Sequence, residues 1–172
     1  MGQVPVLETE RLRLRCHQLD DFAVYAAMWA DPIVTLHTSG RPLTEEEAWT
    51  RLLRYVGHWA LLGFGYWVVE DKATGSFIGE VGFAENRRNI AGWVHETPEI
   101  GWILASQSHG KGYATEAVRA AVAWGEQRFG AGKTGCIIHP DNRASIRVAE
   151  KCGYRKFRDA RYKEHPVLLF MR

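Results

Sequence analysis

The sequence of 172 residues has the length of one domain, and its 22 basic and 20 acidic side chains leave a formal net charge of only +2. This balance argues against a general nucleic-acid binder, which would show a clustered basic face. The three cysteines form no CxxC pair and no apolar run is long enough to cross a bilayer, so we expect one cytoplasmic domain over residues 1–172, with no disulfide framework, no metal site and no membrane contact.

The amino-terminal part predicts one strand and two helices. Leu12 and Leu14 alternate with arginines, as in a half-buried strand. A helix is predicted over residues 20–30. Thr44 followed by Glu47 is a capping-box pattern, and it predicts the start of a second helix whose apolar side chains share one face.

From residue 64 onward the hydrophobic period changes, and the pattern predicts a β-hairpin and a loop, followed by strands and helices. The hairpin strands are expected at residues 64–70 and 76–84, the loop at 86–95, further strands at 96–105, 133–139, 154–158 and 167–171, and helices at 114–129 and 143–151. This order describes an α+β fold with helices on both faces of one sheet.

The stretch QSHGKGYA lies between a predicted strand and a predicted helix and has the composition of an anion-binding turn. Gly110 and Gly112 have no Cβ, so the main chain can approach a bulky anion. The helix that begins near Tyr113 leaves its first N–H groups without partners inside the helix, which predicts a pyrophosphate site. A nucleotide P-loop and a dinucleotide-binding fingerprint both need other glycine spacings. The alternative is that the two glycines only form a loop.

A second segment, HPDNRASIRVAEKCGY, places an asparagine after a predicted strand and ends a short helix with a glycine and an aromatic residue. With these two segments the chain resembles the GNAT superfamily of N-acetyltransferases: QSHGKGYA matches the (Q/R)xxGxG/A acyl-CoA signature, and the second segment resembles that family's second signature. EIGWIL resembles the strand before the first signature. ETERLRLR and GEVGF are similar to the RimJ and RimL branch of ribosomal-protein N-terminal acetyltransferases. The resemblance covers nearly the whole chain and is densest from Glu99 to Tyr154.

The resemblance implies a single-domain fold whose mixed, mostly antiparallel central sheet is splayed in the middle. It implies acetyl-CoA as co-substrate, with the pantetheine arm in the gap beside Ile103, Leu104 and Ala105. A main-chain N–H near Ile103 or Leu104 would polarise the thioester, and Asn142 would contact the arm. The pyrophosphate would be held by residues of the first signature: Gln107, His109, Gly110, Lys111, Gly112, Tyr113 and Ala114. The side chain of His109 is expected in solvent, and that of Lys111 either meets a phosphate or is only solvated.

The resemblance also implies direct attack of a primary amine on the thioester in a ternary complex. Many family members place a tyrosine acid seven residues after the signature asparagine, where this chain has Ala149. The RimL-like pattern places a serine three residues after it, and Ser145 stands there. Ser145 is therefore predicted to lie at the cofactor and to protonate the CoA thiolate. The alternative is that it only supports the first helical turn.

Attack also needs a base, usually a carboxylate, for the proton of the acceptor ammonium. Glu99 begins the strand that precedes the QSHGKGYA turn, the predicted pyrophosphate cradle, and is the first choice. Glu164 lies eleven residues beyond Gly153, the spacing at which RimL-like enzymes carry an acidic residue, and is the second choice. Glu80 is the third. A solvated surface role is the alternative for each.

Trp29, His37 and Trp93 lie at or near predicted loops that border the acceptor cleft in the resembling fold, so they are predicted to line that cleft, with packing as the alternative.

Three functions stay open: an acetyltransferase for a protein N-terminal α-amine, one for a small-molecule amine such as a polyamine, amino acid or antibiotic, and a non-catalytic acyl-CoA-binding or sensing domain. Homodimers are frequent in this branch, so the oligomeric state also stays open.

Overall fold

The computed structural model describes residues 4–93 and 96–172, which form one eight-stranded sheet and five α-helices. The strands are β1 (Leu7–Glu8), β2 (Leu12–Arg15), β3 (Tyr66–Asp71), β4 (Phe77–Ala84), β5 (Glu99–Leu104), β6 (Gly135–Ile138), β7 (Arg155–Tyr162) and β8 (His165–Met171). The helices are α1 (Phe22–Trp29), α2 (Pro32–Thr35), α3 (Glu45–Leu62), α4 (Tyr113–Phe129) and α5 (Arg143–Lys151). Within these described ranges, no helix combines the length and the apolar composition that crossing a membrane requires.

The sheet has the strand order β1-β2-β3-β4-β5-β6-β8-β7, and all neighbouring strands are antiparallel except β5 and β6. β4 and β5 pair along the whole length of β5. In contrast, β5 and β6 pair only at Glu99 and Gly135, and beyond this pair they diverge. The structure thus confirms the predicted α+β fold with a mixed, mostly antiparallel sheet that is splayed in the middle.

The two faces of the sheet carry different helices. α4 and α5 pack on one face, where Val118 of α4 belongs to the larger buried cluster. α1 and α3 pack on the other face around a second cluster that includes Tyr55 of α3. Because side chains alternate along a strand, Val81 of β4 points to α4, whereas Glu80 of β4 and Ile103 of β5 point to α1 and α3.

Local signals in the sequence set several element boundaries. The capping box is confirmed: Thr44 Oγ1 accepts from the Glu47 N–H at 3.2 Å, and the Glu47 carboxylate accepts from the Thr44 N–H at 2.9 Å. Gly63 ends α3 with a φ of +70°. The predicted hairpin is confirmed, and its turn is held by the Asp71 carboxylate, which accepts from the Thr74 N–H at 3.1 Å.

Other boundaries differ from the prediction. β1 and α2 were not predicted, because two and four residues are too short to show a period. β5 begins at Glu99 rather than at residue 96, and β7 extends to Tyr162 although most of its side chains are exposed. The described part of the predicted loop at residues 86–95 has no helix or strand, and its last two residues lie outside the described ranges.

Candidate functional site

The amino end of α4 is the predicted anion cradle. Gly112 is its N-cap residue with a φ of +81°, and Gly110 has a φ of +75°, the left-handed region that favours glycine. No side chain of the described residues caps this helix end, and the first internal bond runs from the Glu116 N–H to the Gly112 carbonyl at 3.2 Å. A Cβ at Gly110 would meet nothing within 4 Å. The N–H groups of the first turn, at the positive end of the helix dipole, are therefore available to an anion.

The residues just before β2 brace this cradle. The guanidinium of Arg11 donates to the Lys111 carbonyl at 3.0 Å and lies 2.6 Å from the Glu116 carboxylate. Thr9 donates its hydroxyl to the same carboxylate at 2.6 Å. Burial by itself would raise the pKa of Glu116, but the hydrogen bonds from Thr9 and Arg11 outweigh it and lower the pKa. Sequence reasoning treated Arg11 only as a strand residue, so its contact with the loop was missed.

Tyr113 and Ala114 begin α4 and are both half-buried. Tyr113 donates its hydroxyl to the Asp71 carboxylate at 2.9 Å, which ties the start of α4 to the turn between β3 and β4. The same hydrogen bond raises the pKa of the Tyr113 hydroxyl. These two residues therefore offer the cradle their main-chain groups, while their side chains hold the helix in place.

The remaining first-signature residues lie on the loop itself. Gln107 is exposed in a single 3-10 turn after β5, and Lys111 is exposed beyond it. His109 is exposed as expected, but its Nε2 also lies 2.9 Å from the Leu104 carbonyl. The loop is thus tied back to the end of β5 while two polar side chains extend into solvent.

Main-chain geometry distinguishes the two predicted oxyanion donors. The Ala105 N–H bonds a carbonyl of β4 at 2.9 Å, and the Ile103 carbonyl lies against Gly79 of β4. Alternate residues of a strand point their main-chain groups toward opposite neighbours. Leu104 therefore directs its N–H and carbonyl into the gap beside β6. The main-chain groups of Ile103 point to β4, so the Leu104 N–H is the better placed of the two predicted donors.

Tyr66 of β3 lies against the middle of β5. A Cβ at Gly101 would collide with the Tyr66 hydroxyl, so this hydroxyl takes the place of a side chain between Glu99 and Ile103. The Tyr66 ring stacks on Tyr55, with centroids 4.2 Å apart. Burial raises the pKa of Tyr66 well above its ordinary value. The hydroxyl therefore stays protonated and is a neutral donor beside β5.

The second signature opens α5. Asn142 is its N-cap residue, and its Oδ1 accepts from the Ser145 N–H at 3.1 Å. The side-chain amide of Asn142 remains able to donate. Ser145 is half-buried, and its hydroxyl bonds no other described residue. Ser145 therefore supports the first helical turn through its N–H, which leaves the hydroxyl free.

The three predicted acceptor-site residues occupy different surroundings. His37 is half-buried after α2, and its ring stacks on His139 with centroids 5.4 Å apart. His139 directly follows β6, so His37 lies beside the strand that bounds the gap. Trp29 and Trp93 are only 2% and 8% exposed. Trp93 packs near Gly135 at the start of β6, so packing accounts for both tryptophans.

The three candidate carboxylates also differ. Both oxygens of Glu99 accept from Arg88, at 2.7 Å and 3.0 Å. Glu164 lies at the turn between β7 and β8 with a side chain that is 95% exposed. Glu80 has no exposed surface, and one of its oxygens lies 3.3 Å from the Nε2 of His17. Only Glu80 combines full burial with an oxygen that no described residue occupies.

Comparison with known proteins gives a consistent result. Residues 11–155 match the family model described as an acetyltransferase (GNAT) domain. The protein YkkB of Bacillus subtilis (strain 168) is 33% identical over 171 residues, which cover 96% of this chain and 94% of YkkB. The crystal structure of an acetyltransferase from Agrobacterium tumefaciens matches with a TM-score of 0.83 and 26% identity, covering all of this chain and 96% of the other.

Two more distant structures share the fold. RimL, a ribosomal L7/L12 alpha-N-protein acetyltransferase solved with coenzyme A, has a TM-score of 0.78 at 14% identity over 98% of this chain and 97% of its own. Spermidine N-acetyltransferase of Vibrio cholerae, solved with CoA and spermine, has a TM-score of 0.74 at 18% identity over 95% of this chain and 96% of its own. At such identities the likeness concerns the fold alone. The two names show that the same fold occurs in an acetyltransferase that acts on a protein and in one that acts on a polyamine.

Proposed function

This chain belongs to the GNAT acetyltransferase family, and from that premise we propose that it transfers an acetyl group from acetyl-CoA to a primary amine, by direct attack of the amine in a ternary complex. The observation that carries the proposal is the uncapped amino end of α4 beside the gap between β5 and β6. Unpaired main-chain N–H groups suit a pyrophosphate. A gap between strands suits an extended pantetheine arm that pairs with a strand edge.

The residues around the gap would divide the work on acetyl-CoA. The N–H groups from His109 to Ala114, together with the Gln107 side chain, would hold the pyrophosphate. Asn142 would donate its side-chain amide to the pantetheine arm, because its oxygen is used in capping α5. The Leu104 N–H would donate to the thioester oxygen and stabilise the negative charge that develops during attack.

Ser145 would return a proton to the CoA thiolate as it leaves. Its hydroxyl has no competing bond from the described residues and lies one turn from Asn142. We expect Ser145→Ala to lower kcat by about tenfold or more while the Kd for CoA changes little. Thiol release at saturating acetyl-CoA measures this, with Ser76→Ala at an exposed turn as the control. Turnover within about twofold of wild type would remove the acid role.

The acceptor ammonium must lose a proton before attack, since an α-amine with a pKa of about 8 is only roughly one-tenth neutral at pH 7. Glu99 and Glu164 are the first and second of the three bases proposed from the sequence, and Glu80 is the third. Glu99 would have to exchange its contact with Arg88 for one with the acceptor. The pH profiles of Glu99→Gln and Glu164→Gln test both proposals, and unchanged profiles in both variants would remove them.

The proposed acceptor is the α-amine of a protein N-terminus, supported by the ETERLRLR and GEVGF segments and by His37 beside the gap. A small-molecule amine is the second candidate, because the fold is equally shared with a spermidine acetyltransferase. The free Ser145 hydroxyl disfavours a non-catalytic acyl-CoA sensor.

A panel of acceptor amines in a thiol-release assay, with acetyl-CoA and then longer donors, tests this proposal. Peptides with free N-termini should be acetylated faster than their N-blocked, lysine-containing counterparts. Turnover of polyamines alone would establish the second candidate. Binding of CoA without any turnover would establish the sensor, and no binding of CoA in calorimetry would overturn the whole proposal.

A further inference from the structure

A surface cavity of about 480 Å³ lies beside α3, on the face of the sheet opposite α4 and α5. It is lined by the loop before α3 and by the first turns of this helix, including Leu43, Arg51 and Arg54. Leu43 and Ile103 of β5 both pack against the second buried cluster. The cavity therefore adjoins the face of β5 that is turned away from α4, and its described lining includes no residue proposed to hold acetyl-CoA.

Arg51 is the half-buried cation of this cavity, and it has no carboxylate in contact among the described residues. Its guanidinium lies 4.0 Å from the centroid of the Trp29 ring, and it donates from Nη1 to the Tyr55 hydroxyl at 3.3 Å. The Glu80 carboxylate acts on this charge from a distance and lies instead 3.3 Å from His17 Nε2. A guanidinium has five N–H donors and stays charged in proteins. Most donors of Arg51 are therefore available to an anion, and a half-buried charge without a paired carboxylate calls for an explanation.

Two neutral donors on α1 lie beside Arg51. The Trp29 indole N–H and the Tyr25 hydroxyl are buried, and neither has a hydrogen-bond partner within the described ranges. Trp29 faces the Tyr25 hydroxyl but outside hydrogen-bond geometry. Burial raises the pKa of Tyr25, so its hydroxyl stays protonated. A guanidinium, an indole N–H and a phenol are together the donors that suit a carboxylate, which only accepts.

The other charged groups of the cavity do not neutralise Arg51. The Glu47 carboxylate is already engaged, because it accepts from Arg41 at 2.8 Å. Glu46 and Arg54 are both exposed and offset each other in charge. Arg51 would therefore attract a carboxylate, whereas it would repel the further positive charges that a polyamine carries beside its reacting amine.

A path of aromatic rings joins Arg51 to the proposed thioester site. Tyr55, which accepts from Arg51, stacks on Tyr66 with centroids 4.2 Å apart. The Tyr66 hydroxyl lies against Gly101 of β5. Leu104, whose N–H enters the gap, is three residues further along this strand. Arg51 is therefore placed to contact a part of the acceptor that extends away from the reacting amine.

We propose that Arg51 is a specificity-determining residue that binds a carboxylate of the acceptor, so that the acceptor is an amine that also carries a carboxylate. The inference rests on the proposed acetyl transfer and narrows its substrate class. Trp29 orients the guanidinium by stacking, and the Trp29 N–H and the Tyr25 hydroxyl complete the site. The carboxylate belongs either to a free amino acid or to an acidic first residue of a protein N-terminus, since both present the same chemistry.

The test compares Arg51→Gln with Arg128→Gln, a matched change at an exposed position of α4. Two acceptor pairs are used: alanine with alaninamide, and a C-terminally amidated peptide that begins with Asp with the same peptide that begins with Asn. Each pair differs by one carboxylate. In Arg51→Gln we expect the KM of the carboxylate acceptor to rise about tenfold to a hundredfold, the range of a hydrogen bond to a charged group.

The kcat for that acceptor, the Kd for CoA and the kinetics of the amide acceptor should change little in Arg51→Gln, and Arg128→Gln should behave as wild type. Comparing the kcat/KM ratio of a pair between variant and wild type cancels the different pKa values of the two amines. Arg51→Lys keeps the charge without the planar fork and should retain part of the preference. An effect on the peptide pair alone identifies an acidic N-terminus, and an effect on the alanine pair alone identifies a free amino acid.

Equal losses for both members of each pair would show a structural role for Arg51 and overturn the inference. If Arg51→Gln does not fold, the wild-type protein decides: equal affinity of its CoA complex for the carboxylate and amide acceptors in calorimetry also overturns the inference. A wild-type protein that binds the carboxylate acceptor more tightly but acetylates no amine would remove the proposed function and keep the carboxylate site. The two failures are therefore distinguishable.

Discussion

Gly101 shows how a single missing side chain determines the wall of the cleft. The Tyr66 hydroxyl occupies the position where a Cβ would stand, and the Tyr66 ring is held from behind by stacking on Tyr55 at 4.2 Å. The Tyr55 ring therefore prevents the Tyr66 hydroxyl from moving away from Gly101. A residue with a side chain at this point must displace either the tyrosine or the strand.

We expect Gly101→Ala to destabilise the fold by about 2 kcal/mol, the range of an overpacked core position, and to lower kcat together with stability. The double variant Gly101→Ala with Tyr66→Phe should recover much of the stability, because the nearest remaining ring atom is 3.1 Å from the new Cβ. Urea denaturation measures both. Equal stability of the single and double variants would show that the hydroxyl is not the obstacle.

Most residues named from the signatures could be located in the fold from the sequence, because their positions depend on local main-chain geometry. Gly112 at the start of α4 and Asn142 at the start of α5 are helix N-cap residues, and helix starts leave a pattern within a few positions. The contacts of Tyr66 with Gly101 and of Glu80 with His17 span 35 and 63 residues of chain. No local pattern encodes such pairs, so the contact of Tyr66 with Gly101 was not predicted.

Among the elements, α4 depends most on its first residue. Gly112 has a φ of +81°, where an alanine is unfavourable by about 1 kcal/mol or slightly more. A Cβ there would also lie 3.4 Å from the Arg11 guanidinium that braces the loop. The backbone strain at residue 112 and the displacement of Arg11 would both shift the N–H groups that are proposed to hold the pyrophosphate.

Gly112→Ala is therefore expected to weaken CoA binding by about tenfold, the equivalent of 1.4 kcal/mol, and to lower the free energy of unfolding by about 1 kcal/mol. Gly57→Ala is the matched control, because Gly57 lies inside α3 with nothing within 4 Å of a new Cβ. That change should stabilise the fold by roughly 0.5–1 kcal/mol. Calorimetry with CoA and urea denaturation measure the two effects, and an unchanged Kd in Gly112→Ala would contradict the cradle.

The contact between Glu116 of α4 and Arg11, just before β2, should contribute to the free energy of unfolding in a way that depends on pH. The pKa of Glu116 is lowered from 4.5 in the folded state, so its contribution is fully present above the unfolded value and is lost as the pH falls through the folded value. Because Arg11 is 43% exposed, we expect Glu116→Gln to lower the free energy of unfolding by only about 1 kcal/mol at pH 7. The difference from wild type should shrink below pH 4.5. A difference that is constant with pH would assign the effect to packing.

At the scale of the whole molecule, the antiparallel part of the sheet follows from the sequence, and the splay does not. Alternating apolar residues, turns and caps predicted the β3–β4 hairpin and its neighbours. Nothing in the pattern of Glu99 or Gly135 shows that β5 and β6 pair only there. The gap was expected only because the signatures resembled those of a family. The polar strand β7 was predicted too short for a related reason: it pairs at the sheet edge with exposed side chains, so the period of apolar residues is weak.

If the gap and the cradle bind one ligand, CoA should stabilise the whole fold and not only α4. At a CoA concentration of one hundred times its Kd, linkage adds about 2.7 kcal/mol to the free energy of unfolding. For a domain of 172 residues this should raise the Tm by roughly 5–11 °C. Pantetheine lacks the pyrophosphate and at the same concentration should have little effect. Gly112→Ala should show a smaller shift than wild type at equal CoA concentration but the same shift at an equal multiple of its own Kd. A shift with pantetheine as large as that with CoA would show that the amino end of α4 contributes nothing to binding.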